Sequence, residues 1–345
     1  MLSGTSVSPP LTIVVLAYAL AWLAVWFARS SGLVDRPDQR KQHNGHVPLA
    51  GGLALFASLL AADVLFRLPP FGTLELMLIG VVFCAGLWDD WRELSASKRL
   101  LVQLLCGCLM VVSSNFVIRQ VGDLLGFGPI GLAVLALPLT ALAFAGMANA
   151  YNMIDGIDGL AAMLALLPLV ALAFIADAAG HPVYPTLVAL TLPLLVFLCF
   201  NLGPDSRWFP KMFLGDSGSN LLGFIVCGLL VYLSQGDNRL IPPVTALWLV
   251  AVPLMDMLAT MLLRACEGHH PMRPDRRHLH HLLQDMGVGG VGTRYIIGIY
   301  ALVLAILGLA LMQLPEFVSM YLYLAVFGGH CAFVLRSRRG TMVGA

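Results

Sequence analysis

The sequence predicts an all-α, polytopic membrane protein of about eleven transmembrane helices, with the N-terminus outside and the C-terminus cytoplasmic. Three observations carry this expectation. Of 345 residues, 59% are hydrophobic and 11% charged, where an ordinary soluble domain carries roughly 25% charged residues. Apolar runs close to the ~20 helical residues that cross a ~30 Å hydrocarbon core recur from one end of the chain to the other. Finally, of the 20 Lys and Arg, all but Arg67, Arg119 and Arg239 fall on alternate connections, the bias that keeps basic loops on the cytoplasmic side.

The first run, 11–28, follows the opening "MLSGTSVSPP", which has neither a cationic start nor a small-residue cleavage site after it, so it reads as a retained span. The inner connection 29–47 holds Asp35, Arg36, Arg40, Lys41, His43 and His46 and leads to Gly51 and Gly52. As a basic arm it suits phosphate oxygens; as a plain inside-positive loop it needs no ligand. Runs 48–66 and 74–88 come next, the latter ending in "GLWDDWRELSASKR". There Asp89 and Asp90 are adjacent carboxylates, which repel unless a cation or a shared proton lies between them. Magnesium fits such a pair, because it takes one or two carboxylates and completes its shell with phosphates and waters.

Runs 99–117 and 128–148 lead to "NAYNMIDGIDGL". A helix beginning at Asn152 and running to Leu160 would put Asn152, Asp155 and Asp158 on one face, with Gly156 and Gly159 leaving room for a close approach. A capping role is the plain alternative, but no basic residue lies between Arg119 and Arg207 to neutralise the two acids. Runs 159–177 and 184–201 precede "NLGPDSRWFPKMFLGDSGSNLLGF", where Asp216 is flanked by Gly215 and Gly218 at the start of run 217–234. Run 243–262 buries Asp256, eight residues and ~12 Å of helix before Arg264; an intramembrane acid marks a functional site or an internally paired group. The connection 263–293 follows, with Arg264, Arg276, Arg277, His278, His280 and His281. Its histidines stand beside arginines and away from cysteine, which suits a polyanion better than zinc. Runs 294–313 and 317–335 complete the eleven. An even number of spans would leave the basic tail outside.

Each outer connection is short and chemically plain, so the chemistry belongs on the inner face, in segments 29–47, 89–99, 149–159, 202–216 and 263–293 of a single domain, 1–345. The seven cysteines have no metal-ligand or disulfide spacing, and a net charge of +1 gives no sign of nucleic-acid binding. The residues by themselves reach as far as metal-assisted phosphoryl chemistry at a membrane surface.

"DD" at Asp89 and Asp90, "NMIDGIDGL" at 152–160, "FLGDSGS" at 213–219 and "HLHH" at 278–281 occur in this order across the chain. Together they resemble the polyprenyl-phosphate N-acetylhexosamine-1-phosphate transferases. The segments "GLVDRPDQRKQHNGHVPLAGG", "PPVTALW" and "PLMDM" look like the bacterial branch that makes undecaprenyl-diphospho-N-acetylglucosamine. The resemblance implies a ten- or eleven-helix enzyme of the bacterial cytoplasmic (inner) membrane with its active site facing the cytoplasm. It implies transfer of GlcNAc-1-phosphate from UDP-GlcNAc to undecaprenyl phosphate, with release of UMP, a need for Mg²⁺ or Mn²⁺, and a role at the start of O-antigen or common-antigen type glycan synthesis. It also allows a homodimer. By the same resemblance Asp90, supported by Asp89, is the catalytic base or nucleophile, and Asp216 is the principal metal ligand beside Asp89 and Asp90. Asn152, Asp155 and Asp158 form the nucleotide face, and His278, His280 and His281, with Arg264, Arg276, Arg277 and Lys41, bind diphosphate and sugar. Where the muropeptide-forming branch has three consecutive histidines, Leu279 interrupts the set here, which argues against a UDP-muramyl-pentapeptide. The rival expectations are the same reaction with another UDP-N-acetylhexosamine and a cation-coupled transporter that would use Asp155, Asp158 and Asp256.

Overall fold

The structure is a computed structural model that describes residues 9–35, 45–113, 115–270 and 277–343. Among these the chain is helical apart from turns, connections and one antiparallel pair of two-residue strands, β1 (Val34–Asp35) and β2 (Val47–Pro48). The helices are α1 (Pro9–Ser31), α2 (Gly51–Phe66), α3 (Thr73–Arg92), α4 (Ala96–Met110), α5 (Ala136–Ile154), α6 (Leu160–Ala178) and α7 (Tyr184–Leu202). They continue with α8 (Gly215–Ser234), α9 (Pro243–Leu249), α10 (Ala251–Cys266), α11 (Leu279–Asp285), α12 (Gly290–Ala310) and α13 (Glu316–Val343).

Among the described residues seven helices are long and apolar enough to cross a membrane, and the bent pair α9–α10 makes eight. The protein is a multi-pass membrane protein. Three of the eleven expected runs fall on α2, of 16 residues, α3, whose 20 residues carry Glu75, Asp89, Asp90 and Arg92, and α4, of 15 residues.

Several expected bounds move, each for a local reason. The run 99–117 stops as helix at Met110, where Val111, Val112 and Ser113 lower helix propensity. The run 128–148 starts as helix only at Ala136, because Gly122, Gly126 and Gly128 hold positive φ in the preceding loop. It then continues past 148 to Ile154. The expected helix from Asn152 to Leu160 therefore does not form. Asn152 lies in the last turn of α5, Asp155 is its C-cap at ψ 51°, and Gly159 turns the chain at φ +72° before α6 begins. Run 243–262 is broken rather than straight, with α9 and α10 meeting at 84° around Val250. Pro253 explains the break, since it cannot donate to the carbonyl of Leu249 and its ring would collide with it.

The chain divides into two compact units, Met1–Leu94 with Leu169–Leu221, and Ser95–Pro168 with Leu222–Ala345. In the first, α1 packs on α2 and α7, and α2 on α3. The rings of Tyr18, Phe200 and Phe209 meet there at centroid distances of 5.2–5.6 Å. In the second, α4 packs on α5, α5 on α10, and α12 and α13 against α9, α10 and α11. Polar side chains inside this unit pair with one another, as hydrocarbon demands. Asn149 donates to Gln103 at 2.5 Å, and the Trp248 indole donates to Ser319 at 3.0 Å.

Candidate active site

In the first unit the site is built on the start of α8. The first amides of a helix have no partner within it and carry the positive end of its dipole. Leu214, just before the helix, has no side-chain acceptor to offer them. Asp90, from the last turn of α3, supplies one: its Oδ1 accepts from Asp216 N–H at 2.7 Å and its Oδ2 from Ser217 N–H at 3.0 Å. Glycines make this approach possible. A Cβ on Gly215 would lie 2.7 Å from Asp90 Oδ2, and Gly215 holds φ +75°. A Cβ on Gly86, one turn before Asp90, would lie 2.6 Å from Ser217 Cα, and a Cβ on Gly52 would overlap Ser217 Oγ.

Asp90 lies just beyond the apolar run 74–88. Burial, and then the charge of Asp216 beside it, push its carboxyl up to about 7, against the pull of the Asp216 and Ser217 amides. Two like charges side by side thus favour the protonated form of one of them. Asp89 is turned another way, its Oδ1 accepting from Leu94 N–H at 2.6 Å where α3 ends. Among the described residues no three His, Cys, Asp or Glu side chains come together as a metal site. A pair of hard oxygen donors under mutual repulsion does not fit zinc. It fits magnesium, whose remaining ligands are waters and phosphate oxygens.

In the second unit the acid loop and the histidine segment come together. Asn152, Asp155 and Asp158 are all half-buried where α5 turns into α6. His280 lies over this turn, so that a Cβ on Gly156 would overlap its Nε2. His280 is 1% exposed, and its ring centroid lies 4.1 Å from that of His281 and 6.0 Å from that of His278. Arg294, at the start of α12, donates to the backbone carbonyl of Asp158 at 3.1 Å. In the sequence Arg294 is only one more basic residue at the start of an apolar run, and 136 residues separate it from Asp158; no local pattern links the two. The acid loop, which has no basic neighbour along the chain, acquires one through the fold.

The other expected residues divide. Arg264 is buried at 2% in the last turn of α10. Arg277 pairs with Glu267 at 2.5 Å. Asp256 is the internally paired acid, with His278 Nδ1 at 2.8 Å from its Oδ2 and Leu279 N–H donating to Oδ1 at 2.7 Å. Lys41 and Arg276 lie outside the described residues.

The first unit offers an acid pair at a helix N-terminus, and the second a loop of acids with histidines and an arginine against it. Both suit phosphoryl groups. The glycosyl transferase family 4 profile matches residues 73–234, which include Asp89, Asp90, the acid loop and Asp216. An undecaprenyl-phosphate alpha-N-acetylglucosaminyl 1-phosphate transferase of Yersinia pestis is 34% identical over 326 residues, 91% of this chain and 87% of its own length. Its namesake in Escherichia coli strain K12 is 34% identical over 88% of this chain and 84% of its own. That of Pasteurella multocida is 36% identical over 82% and 80%. With near-full-length similarity of this order, and the acid and histidine motifs in the expected order, the chain belongs to the polyprenyl-phosphate N-acetylhexosamine-1-phosphate transferases, glycosyl transferase family 4.

Proposed function

We propose that the protein transfers GlcNAc-1-phosphate from UDP-GlcNAc to undecaprenyl phosphate, releasing UMP, at the cytoplasmic face of a bacterial inner membrane. The observation that carries this reading is the 34% identity, over 91% of the chain, to a relative named for that transfer. The half-buried Asp90–Asp216 pair supplies the chemistry it needs. The orientation rests on the inner-face bias of Lys and Arg, and the product would begin O-antigen or common-antigen type glycan synthesis.

Asp90 takes the proton from the lipid phosphate. An oxygen of that phosphate then forms a bond to the sugar-bearing phosphorus of the donor, and the bond from that phosphorus to UMP breaks. In the metal-free protein the carboxyl is held near 7, within reach of proton transfer at neutral pH. The α8 amides hold its two oxygens in place. Asp216, with Asp90 beside it, would hold Mg²⁺, which supplies neutralising charge for the phosphoryl oxygens and the departing UMP. Asn152, Asp155 and Asp158 orient the nucleotide end of the donor, and His280, His281, Arg264 and Arg294 bind its diphosphate and sugar. A transporter reading draws little support from Asp256, the acid deepest in an apolar run, because it is 1% exposed and paired with His278.

The test is UMP release by the purified protein in detergent with undecaprenyl phosphate and a panel of UDP-sugars, with and without Mg²⁺. UMP release that requires Mg²⁺ and is fastest with UDP-GlcNAc is expected. Release of UMP at the same rate in chelator would sink the metal assignment, and preference for another UDP-N-acetylhexosamine would move the specificity.

A further inference from the structure

Asp256 lies in α10, 1% exposed, and belongs to none of the inner-face acid motifs. Its surroundings in the second unit are specific. His278 Nδ1 approaches Oδ2 at 2.8 Å, Leu279 N–H donates to Oδ1 at 2.7 Å, and His330 Nε2 of α13 lies 4.0 Å from Oδ1. His278 and Leu279 are the residues with which α11 begins, and His280 and His281 fill its first turn. The other side of α11 is held by Leu282, which clusters with Leu263 of α10 and Val334 of α13. One carboxylate therefore fixes both the ring of His278 and the first amide of the helix that lays His280 over the Gly156 turn.

We propose that Asp256 is a positioning residue for the transfer, acting through His278. This rests on the transferase reading above. A carboxylate is acceptor-only, so His278 turns a protonated Nδ1 toward Asp256 and leaves its Nε2 on the opposite edge of the ring. A buried carboxylate that orients an imidazole in this way sets which nitrogen is available for chemistry. Replacement by Asn keeps the shape but offers one acceptor and one NH₂ to two donors. Either His278 Nδ1–H or Leu279 N–H must then face a donor.

The experiment uses the full-length protein in detergent with UDP-GlcNAc and undecaprenyl phosphate. A wrongly tautomerised ring still fills its space. Asp256→Asn is therefore expected to lower kcat about 10- to 100-fold while donor KM changes less than about threefold, with Asp256→Glu recovering part of the loss. In a His278→Gln background the same Asp256→Asn step should cost less than about twofold. An equal loss in both backgrounds overturns the proposal, because a merely structural acid acts whether or not His278 is present. Should Asp256→Asn not fold, the ¹⁵N spectrum of histidine-labelled wild type decides: a proton on His278 Nδ1 supports the proposal and a bare Nδ1 overturns it. That arm needs no turnover, so a wild type that releases no UMP would refute the transferase reading alone.

Discussion

Asp90 illustrates how one side chain serves structure and chemistry together. Its two oxygens cap the start of α8, and the same burial holds its proton to about 7. The sign of the resulting stability dependence follows. A carboxyl raised above its unfolded value binds its proton more tightly when folded, so metal-free protein loses stability as pH rises from about 4 to about 7. Asp90→Asn should remove that slope, so that its stability in chelator differs less between about pH 4 and about pH 8 than that of wild type, lowered at both by one α8 amide left facing its NH₂, while UMP release falls at least ~1,000-fold. Thermal unfolding at the two pH values checks the first part and the UMP assay the second. Gly156 makes a second prediction. A methyl there must displace the buried His280, so Gly156→Ala is expected to lower kcat/KM by about 10-fold or more in the UMP assay and to lower Tm as well.

Among the elements, α8 decides most. It is buried from Ser217 to its last residue, Ser234, which an α-helix can be only if it is apolar or small on nearly every side. Gly52 and Gly86 let neighbouring backbone reach Ser217, and Gly223 lets α5 approach at Met147 and Ala148. Gly86→Ala would place a Cβ 2.6 Å from Ser217 Cα. It is expected to cost ~1–3 kcal/mol of stability and to lower activity, because backbone cannot yield as a side-chain tip can; chemical or thermal unfolding in detergent measures the loss. The bend at Val250 has a similar local origin in Pro253. That proline is visible in "AVPLMDM", yet an apolar run with one proline reads equally well as a kinked continuous span.

For the whole molecule, the open quantity is how many helices cross the bilayer. Length and hydropathy give seven, or eight with the bent pair. The eleven-span reading depends on α2, α3 and α4, of which the 15-residue α4 is only ~22 Å long. In a background without the seven native cysteines, Thr73→Cys and Ser95→Cys flank α3. If α3 crosses, a membrane-impermeant maleimide applied to intact cells labels Thr73→Cys and spares Ser95→Cys until the membrane is opened. Labelling of both from the same side would remove α3 from the spans.

Composition, run length and the placement of Lys and Arg were enough to read a polytopic helical membrane protein, because hydrocarbon leaves a spanning chain few choices besides helix. Asp89 and Asp90, Asp155 and Asp158, Asp216 and the His278–His281 segment were equally legible as polar clusters at the ends of apolar runs. Their partners were not. That Asp90 caps α8, that Arg294 reaches Asp158, that His280 lies over Gly156 and that Asp256 holds His278 are contacts between residues far apart along the chain. Local spacing cannot encode them, since which helix faces which is settled by packing. Glycines also reversed a local expectation: Asn152, Asp155 and Asp158 show helical spacing, but the chain turns through Gly156 and Gly159 instead, and the acids line a loop rather than a helix face.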